Sequence, residues 1–160
     1  MKTKKLYLLR HAKSSWKDFS IRDFDRPLNK RGKHDAPMMA DRARQRGLKP
    51  DVILSSPAKR ARTTSKYFSN ALGSKIVYED SIYESTPAKL REIIKEAFEH
   101  YDSVMLVGHN PSMTVLSNSF LDTPIENLPT CGIIGFEFDN EALEDAKATL
   151  LFFDYPKRDT

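Results

Sequence analysis

Val104-Met105-Leu106-Val107-Gly108-His109-Asn110-Pro111 is the stretch on which the fold turns. Residues 104–107 are all apolar, without the polar alternation of a strand that keeps one face in water. They read as a central strand covered on both sides, the kind found in a mostly parallel sheet between helices. The chain then turns polar, and Asn110-Pro111 is placed to cap a helix running to about Leu121.

Working outward, the rest of the chain follows the same alternation of strand and helix. Residues 6–9 form a buried strand that ends at Arg10-His11. Residues 12–28 make a long polar loop rich in Asp, Arg and Ser. Asn29 is a suitable N-cap for a helix to about Arg46, stopped by Gly47. Residues 52–54 form a short strand, and Ser55-Ser56-Pro57 reads as a cap with proline near the first turn of a helix that runs to about Leu72. Residues 76–78 are a third strand. Ser85-Thr86-Pro87 opens a helix to about Tyr101, on which Leu90, Ile93, Ile94, Ala97 and Phe98 share a face. Residues 133–138 and 149–153 are late strands with no helix between them, and so an antiparallel pair. The sum is an α/β fold, a three-layer α/β/α sandwich with a mostly parallel central sheet, in a single domain spanning residues 1–160.

Composition narrows the function classes. The 160 residues are 39% hydrophobic and 30% charged, as in an ordinary globular protein. Apolar runs such as 104–107 and 150–153 are far too short to cross a bilayer. The basic Met-Lys-Thr-Lys-Lys start is followed by only four apolar residues before Arg10, which does not make a signal peptide. Cys131 is the sole cysteine, so neither an internal disulfide nor a multi-cysteine zinc site can form, and the cytoplasm is the expected setting. The net charge of +4 is scattered along the chain. It helps attract an anionic substrate, but without a basic stripe interleaved with aromatics no nucleic-acid partner is expected.

In open α/β sheets ligands collect at the carboxyl ends of the strands. Four segments bring chemistry there. Arg10-His11 follows the first strand, and beside an arginine the imidazole tends to stay neutral and nucleophilic. Taken alone, the pair reads more readily as a structural histidine at a strand end. His109 holds the matching place after the central strand, at the start of a capped helix, where a ring N–H could reach an anion. Arg60, in Ser55-Ser56-Pro57-Ala58-Lys59-Arg60, lies one turn into its helix and offers a planar fork suited to a phosphoryl group, although spacing alone does not favour it over Lys59 or Arg62. Glu84 could protonate a leaving group if its pKa is raised, or could simply precede a helix. No Gly-rich phosphate loop and no H-E-x-x-H pair are present.

Leu9-Arg10-His11-Ala12-Lys13-Ser14-Ser15-Trp16 resembles the Arg-His-Gly signature of the histidine phosphatase, or phosphoglycerate mutase-like, superfamily. Ser55-Ser56-Pro57-Ala58-Lys59-Arg60-Ala61-x-x-Thr64 and Val107-Gly108-His109-Asn110-Pro111 resemble its second and third motifs. Asp25-Arg26-Pro27-Leu28-Asn29-Lys30-Arg31-Gly32 and Leu128-Pro129-Thr130 are similar to further family segments. The ordered set covers nearly the whole chain and is most similar to the short bacterial SixA-type phosphohistidine phosphatases. The resemblance implies a phosphoglycerate mutase-like fold, with His11 as the phosphorylated nucleophile. It implies that Arg10, Arg60 and His109 hold the phosphoryl oxygens and that Glu84 donates the proton. The chain departs from the pattern at Ala12, where the family has glycine, at Lys13, where mutases often carry glutamate, and at Lys17, where many relatives carry asparagine. Ser14 is a further possible donor.

The expected reaction is metal-independent hydrolysis through a phosphohistidine enzyme intermediate, with cations rather than a cofactor stabilising the transferring group. The short chain has no long insertion to form a lid. That favours a protein-borne phosphoryl group, above all phosphohistidine on a histidine phosphotransfer protein. Phosphoserine, phosphothreonine and small phosphate esters are the alternatives. A mutase would need an enclosing cap, and size and Lys13 speak against it. An inactive phosphate-binding module would be expected to lack one of the four core residues, all of which are here.

Overall fold

The computed structural model describes residues 3–139, 143 and 148–158. Its strands are β1 (Lys4–Arg10), β2 (Val52–Ser55), β3 (Ile76–Tyr78), β4 (Ser103–Gly108), β5 (Ile133–Phe138) and β6 (Thr149–Asp154). They form one sheet in the order β3-β2-β4-β1-β5-β6. The apolar stretch that opens the sequence reading is β4, hydrogen-bonded in parallel to β2 on one side and to β1 on the other. β3 adds in parallel beyond β2. β5 runs antiparallel to both β1 and β6, which confirms the expected pairing of the two late strands.

Alternation along the strands feeds two separate cores. Leu6, Leu8, Val104 and Leu106 point to one face, where they meet Leu90, Ile94 and Phe98 of α3 (Pro87–Phe98) and Met113 and Leu116 of α4 (Ser112–Asn118). Tyr7, Leu9, Met105 and Val107 point to the other. There they meet Ala36, Met39 and Ala40 of α1 (Lys30–Gln45) and Phe68 and Leu72 of α2 (Lys59–Leu72). Each leucine so buried is worth about 1.5–3 kcal/mol relative to exposure. This is the three-layer α/β/α arrangement expected from the sequence.

Asn29 and Thr86 cap as expected, their side chains accepting the Gly32 and Lys89 amides. Three helix limits differ. α2 starts only at Lys59, because Ser55 completes β2 and the Ser56 hydroxyl accepts the Ala58 amide ahead of the helix. Arg60 is therefore in the first turn rather than one turn in. α3 stops at Phe98, three residues early, in a tight turn in which the Tyr101 amide reaches back to Ala97. α4 ends at Asn118, whose side chain clamps both the amide and the carbonyl of Ile125 and turns the chain away.

The polar loop after β1 is tied at both ends. Ser14 bridges Leu28, and the Ser15 amide donates to Pro27 O at 2.8 Å. Lys13 O accepts the Asn29 amide at 3.0 Å and lies directly over Gly32 of α1. A Cβ at position 32 would sit 2.2 Å from that oxygen, so glycine is required by the close approach. Ala12 packs fully buried with ordinary backbone angles, so its departure from glycine introduces no strain.

Candidate active site

Sheet register brings the two histidines together. Arg10 and Gly108 are direct partners across β1 and β4, so the residue after each, His11 and His109, emerges at neighbouring strand ends. Their ring centroids are 5.1 Å apart. The His11 amide donates to Gly108 O, and the Arg10 and His11 carbonyls both accept from Cys131. The Ala12 amide donates to the Thr64 hydroxyl of α2, which donates in turn to Arg60 O. The loop after β1 and the helix that carries Arg60 are thus locked to each other.

His11 Nδ1 lies 2.7 Å from Ala12 O. A carbonyl can only accept, so Nδ1 carries the proton and Nε2 keeps a lone pair for the cleft that His11 lines. Burial, reinforced by His109, Arg60 and Arg10, holds the imidazole neutral, with its pKa lowered to about 3. His109 is lowered to about 4, by burial first and then Arg60. Its Nε2 lies 2.7 Å from Ser56 Oγ, whose hydroxyl proton has no other acceptor in reach among the described residues. That places the His109 proton on Nδ1, which is buried and without a partner. The ring itself supplies this donor, since α4 is only a seven-residue helix beginning beyond Pro111.

Arg10 spends one terminal nitrogen on Leu128 O at 3.0 Å, and its Nε is buried and unpaired. Arg60 has the same unpaired Nε. Its two terminal nitrogens are taken by Asp23, one by the backbone oxygen at 2.7 Å and the other by Oδ2 at 3.0 Å. Asp23 also accepts from Arg26 Nε at 3.0 Å and from the Tyr83 hydroxyl at 2.7 Å. Burial works against the charged carboxylate, but these three donors outweigh it and hold Asp23 at about 2. Burial and the same carboxylate push the Tyr83 phenol up to about 12. Arg26 in turn donates to Ser14 Oγ at 2.6 Å and lies 3.5 Å under the exposed ring of Trp16.

These side chains line a cleft of about 420 Å³ with four cations, Arg10, Lys13, Arg26 and Arg60, against one carboxylate. Three buried N–H donors without acceptors belong to its wall. Such a cationic, donor-lined cleft suits a tetrahedral oxyanion. Among the described residues no group of three His, Cys, Asp or Glu side chains is placed to hold a metal ion, and no helix is long and apolar enough to cross a membrane.

Of the five residues expected from the sequence, the fold gathers Arg10, His11, Arg60 and His109 around the cleft. Glu84 is not among its lining residues. It is exposed, with its backbone in the left-handed region at φ 52°. Ser14 lines the cleft and Lys17 does not. Sequence reasoning missed Asp23, Arg26, Tyr83 and Ser56. The Asp25-Arg26-Pro27 segment was the available signal for Arg26.

Residues 6–87 match the model of the histidine phosphatase superfamily (branch 1). The chain belongs to the histidine phosphatase superfamily. This histidine phosphatase is 32% identical over 157 residues to an uncharacterized chloroplastic protein of Arabidopsis thaliana, covering 91% of this chain and 72% of the relative. Its fold superposes on a candidate phosphohistidine phosphatase SixA from Agrobacterium tumefaciens with a TM-score of 0.84 and 35% identity, covering 96% and 99% of the two chains. A protein histidine phosphatase SixA complexed with tungstate shares the fold at a TM-score of 0.81 and 18% identity, covering 95% and 97%. The expected phosphoglycerate mutase-like architecture and hydrolase class follow from these matches.

Proposed function

We propose that this histidine phosphatase removes phosphoryl groups from phosphohistidine on a phosphotransfer protein, through an intermediate on His11 Nε2. The observation that carries the reading is the 2.7 Å contact between His11 Nδ1 and Ala12 O. With Nδ1–H committed to Ala12 O, the neutral ring presents a lone pair to a cleft rich in cations. In the first step Nε2 bonds to phosphorus as the bond to the leaving group breaks. Arg10, Arg60 and the Nδ1–H of His109 hold the equatorial oxygens, and Arg26 adds charge beside them. Water then attacks phosphorus, the N–P bond returns its electrons to His11, and inorganic phosphate leaves.

A phosphohistidine leaving group departs as neutral imidazole when its distal nitrogen is protonated. It therefore asks little of an acid at the leaving atom, which suits a cleft whose sole lining carboxylate, Asp23, stays ionised. The similarity to a SixA at 35% identity supports this substrate class. Phosphoserine is the second reading. It is favoured by 37% identity over 82 residues to phosphoserine phosphatase 1 of Hydrogenobacter thermophilus, which spans 50% of this chain and 38% of that enzyme. For a phosphate ester, Glu84 would have to act as the proton donor.

The test is parallel turnover of a phosphohistidine protein, a phosphoserine peptide and p-nitrophenyl phosphate, with EDTA present throughout. The proposal expects the phosphohistidine protein to give the highest kcat/KM, with no effect of EDTA. His11→Asn should abolish turnover and the acid-labile, alkali-stable phosphoenzyme. Preference for phosphoserine, loss of activity in EDTA, or labelling that survives His11→Asn would each overturn a part of it.

A further inference from the structure

A second cavity, of about 520 Å³, lies beside the catalytic cleft and shares Lys13 and Thr130 with it. Its volume falls within the ~300–1,000 Å³ typical of ligand sites. Pro129, Tyr155 and Pro156 give it apolar walls, and Lys13, Arg31 and Lys157 give it a cationic rim. Asp35 is its only acidic lining residue among those described. That carboxylate is buried, with one oxygen held by Arg31 Nε and the other against His34 Nδ1, both at 3.1 Å. Among the described residues the rim therefore keeps an excess of positive charge.

The walls are anchored rather than draped. Lys13 is fixed from below by the Asn29 amide and the bare Cα of Gly32. The segment bearing Tyr155 and Pro156 is held by Arg42, which donates to Tyr155 O at 3.2 Å and to the buried Asp154 at 3.3 Å. The catalytic chemistry described above uses none of Arg31, Tyr155 or Lys157.

We propose that this cavity binds an acidic, partly apolar segment of the phosphorylated protein, lying next in the chain to the residue whose phosphoryl group meets His11. The inference rests on the reading of the substrate as protein-borne. Two features point to this occupant: the cationic excess that the described residues place over apolar walls, and the continuity of the two cavities through Lys13. A single phosphorylated side chain fills only the catalytic cleft, whereas a chain passing over Lys13 reaches both. Selectivity among phosphoproteins then comes from residues flanking the phosphohistidine, read by charge at the rim.

The experiment compares phosphohistidine peptides that are identical except for acidic, neutral or basic flanks, with p-nitrophenyl phosphate as a small reference substrate. The variants are Lys157→Glu, Lys157→Met and Tyr155→Ala. Wild-type protein is expected to prefer acidic over neutral flanks by roughly three- to tenfold, through KM, with the preference shrinking as salt rises. Lys157→Glu is expected to erase the preference and Lys157→Met to halve it, with p-nitrophenyl phosphate turnover unchanged in both. Tyr155→Ala is expected to weaken all peptides alike. No preference in wild type, or an intact preference in Lys157→Glu, overturns the proposal. Anisotropy of a labelled, unphosphorylated acidic peptide reads the cavity without catalysis. Binding that Lys157→Glu abolishes, in a protein inactive on every phosphohistidine substrate, would overturn the catalytic reading and leave the cavity standing.

Discussion

Between pH 8 and pH 5 the two cleft histidines are expected to cost the fold about 4 kcal/mol. Each is held neutral in the folded protein, His11 to about 3 and His109 to about 4, against an ordinary value of 6.5. Below pH 6.5 the unfolded chain takes up protons that the folded chain refuses, so stability falls with pH until the folded values are reached. At pH 5 each imidazole accounts for about 2 kcal/mol of that loss. Asp23 does not offset it. Its carboxylate, at about 2 against 3.8, contributes stability that is present above pH 3.8 and is lost only as pH falls toward 2. Urea unfolding at the two pH values reads the effect directly. With an m value near ~2 kcal/mol/M, the midpoint drops by roughly 2 M. In His11→Asn the drop shrinks by about half, because His109 alone then refuses its proton. Saturating inorganic phosphate shrinks it as well, by favouring protonated imidazole beside the anion. A full drop that survives in His11→Asn would refute the placement of His11 in a buried cationic cleft.

Asp23→Asn removes the charge that clamps Arg60 and accepts from Tyr83. The tyrosine that titrates at about 12 is expected to move toward the ordinary ~10 in an ultraviolet titration, with kcat/KM falling about tenfold. Gly32→Ala drives a methyl into Lys13 O, and a loss of about 1–3 kcal/mol is expected in urea melts. Glu84→Gln is expected to leave phosphohistidine turnover nearly unchanged, measured as kcat. A fall of about 10²-fold or more would restore Glu84 as the general acid.

Most of the fold was legible because its signals are local. Residues 104–107 admit one environment, and the caps at Asn29 and Thr86 act within their own first turns. Arg10, His11 and His109 were legible for a related reason: each sits at the end of a strand, where chain direction alone fixes its place. Asp23 was not legible. It lies in a 3-10 turn inside a long polar loop, and its role depends on Arg60 and Tyr83, 37 and 60 residues away. The start of α2 was misread because Ser56 serves His109 as well as the Ala58 amide, a tertiary duty that no cap pattern reveals. Glu84 was drawn from its place after the third strand as well as from the resemblance, and the fold leaves it outside the cleft lining.

The pairing of Arg10 with Gly108 has a consequence for how such an enzyme can diversify. The separation of the two imidazoles is indexed to the register between β1 and β4, since neighbouring strands lie about 4.8 Å apart in any sheet. Lengthening or rewriting the loop over residues 15–27 leaves that index untouched, while a bulge inserted in either strand erases it. The strands thus fix the spacing of the two histidines, while the loop supplies Asp23 and Arg26 to the cleft around them. Engineers who want a new substrate can graft onto the Tyr155 wall and onto loop positions other than Asp23 and Arg26, and leave the two strands alone.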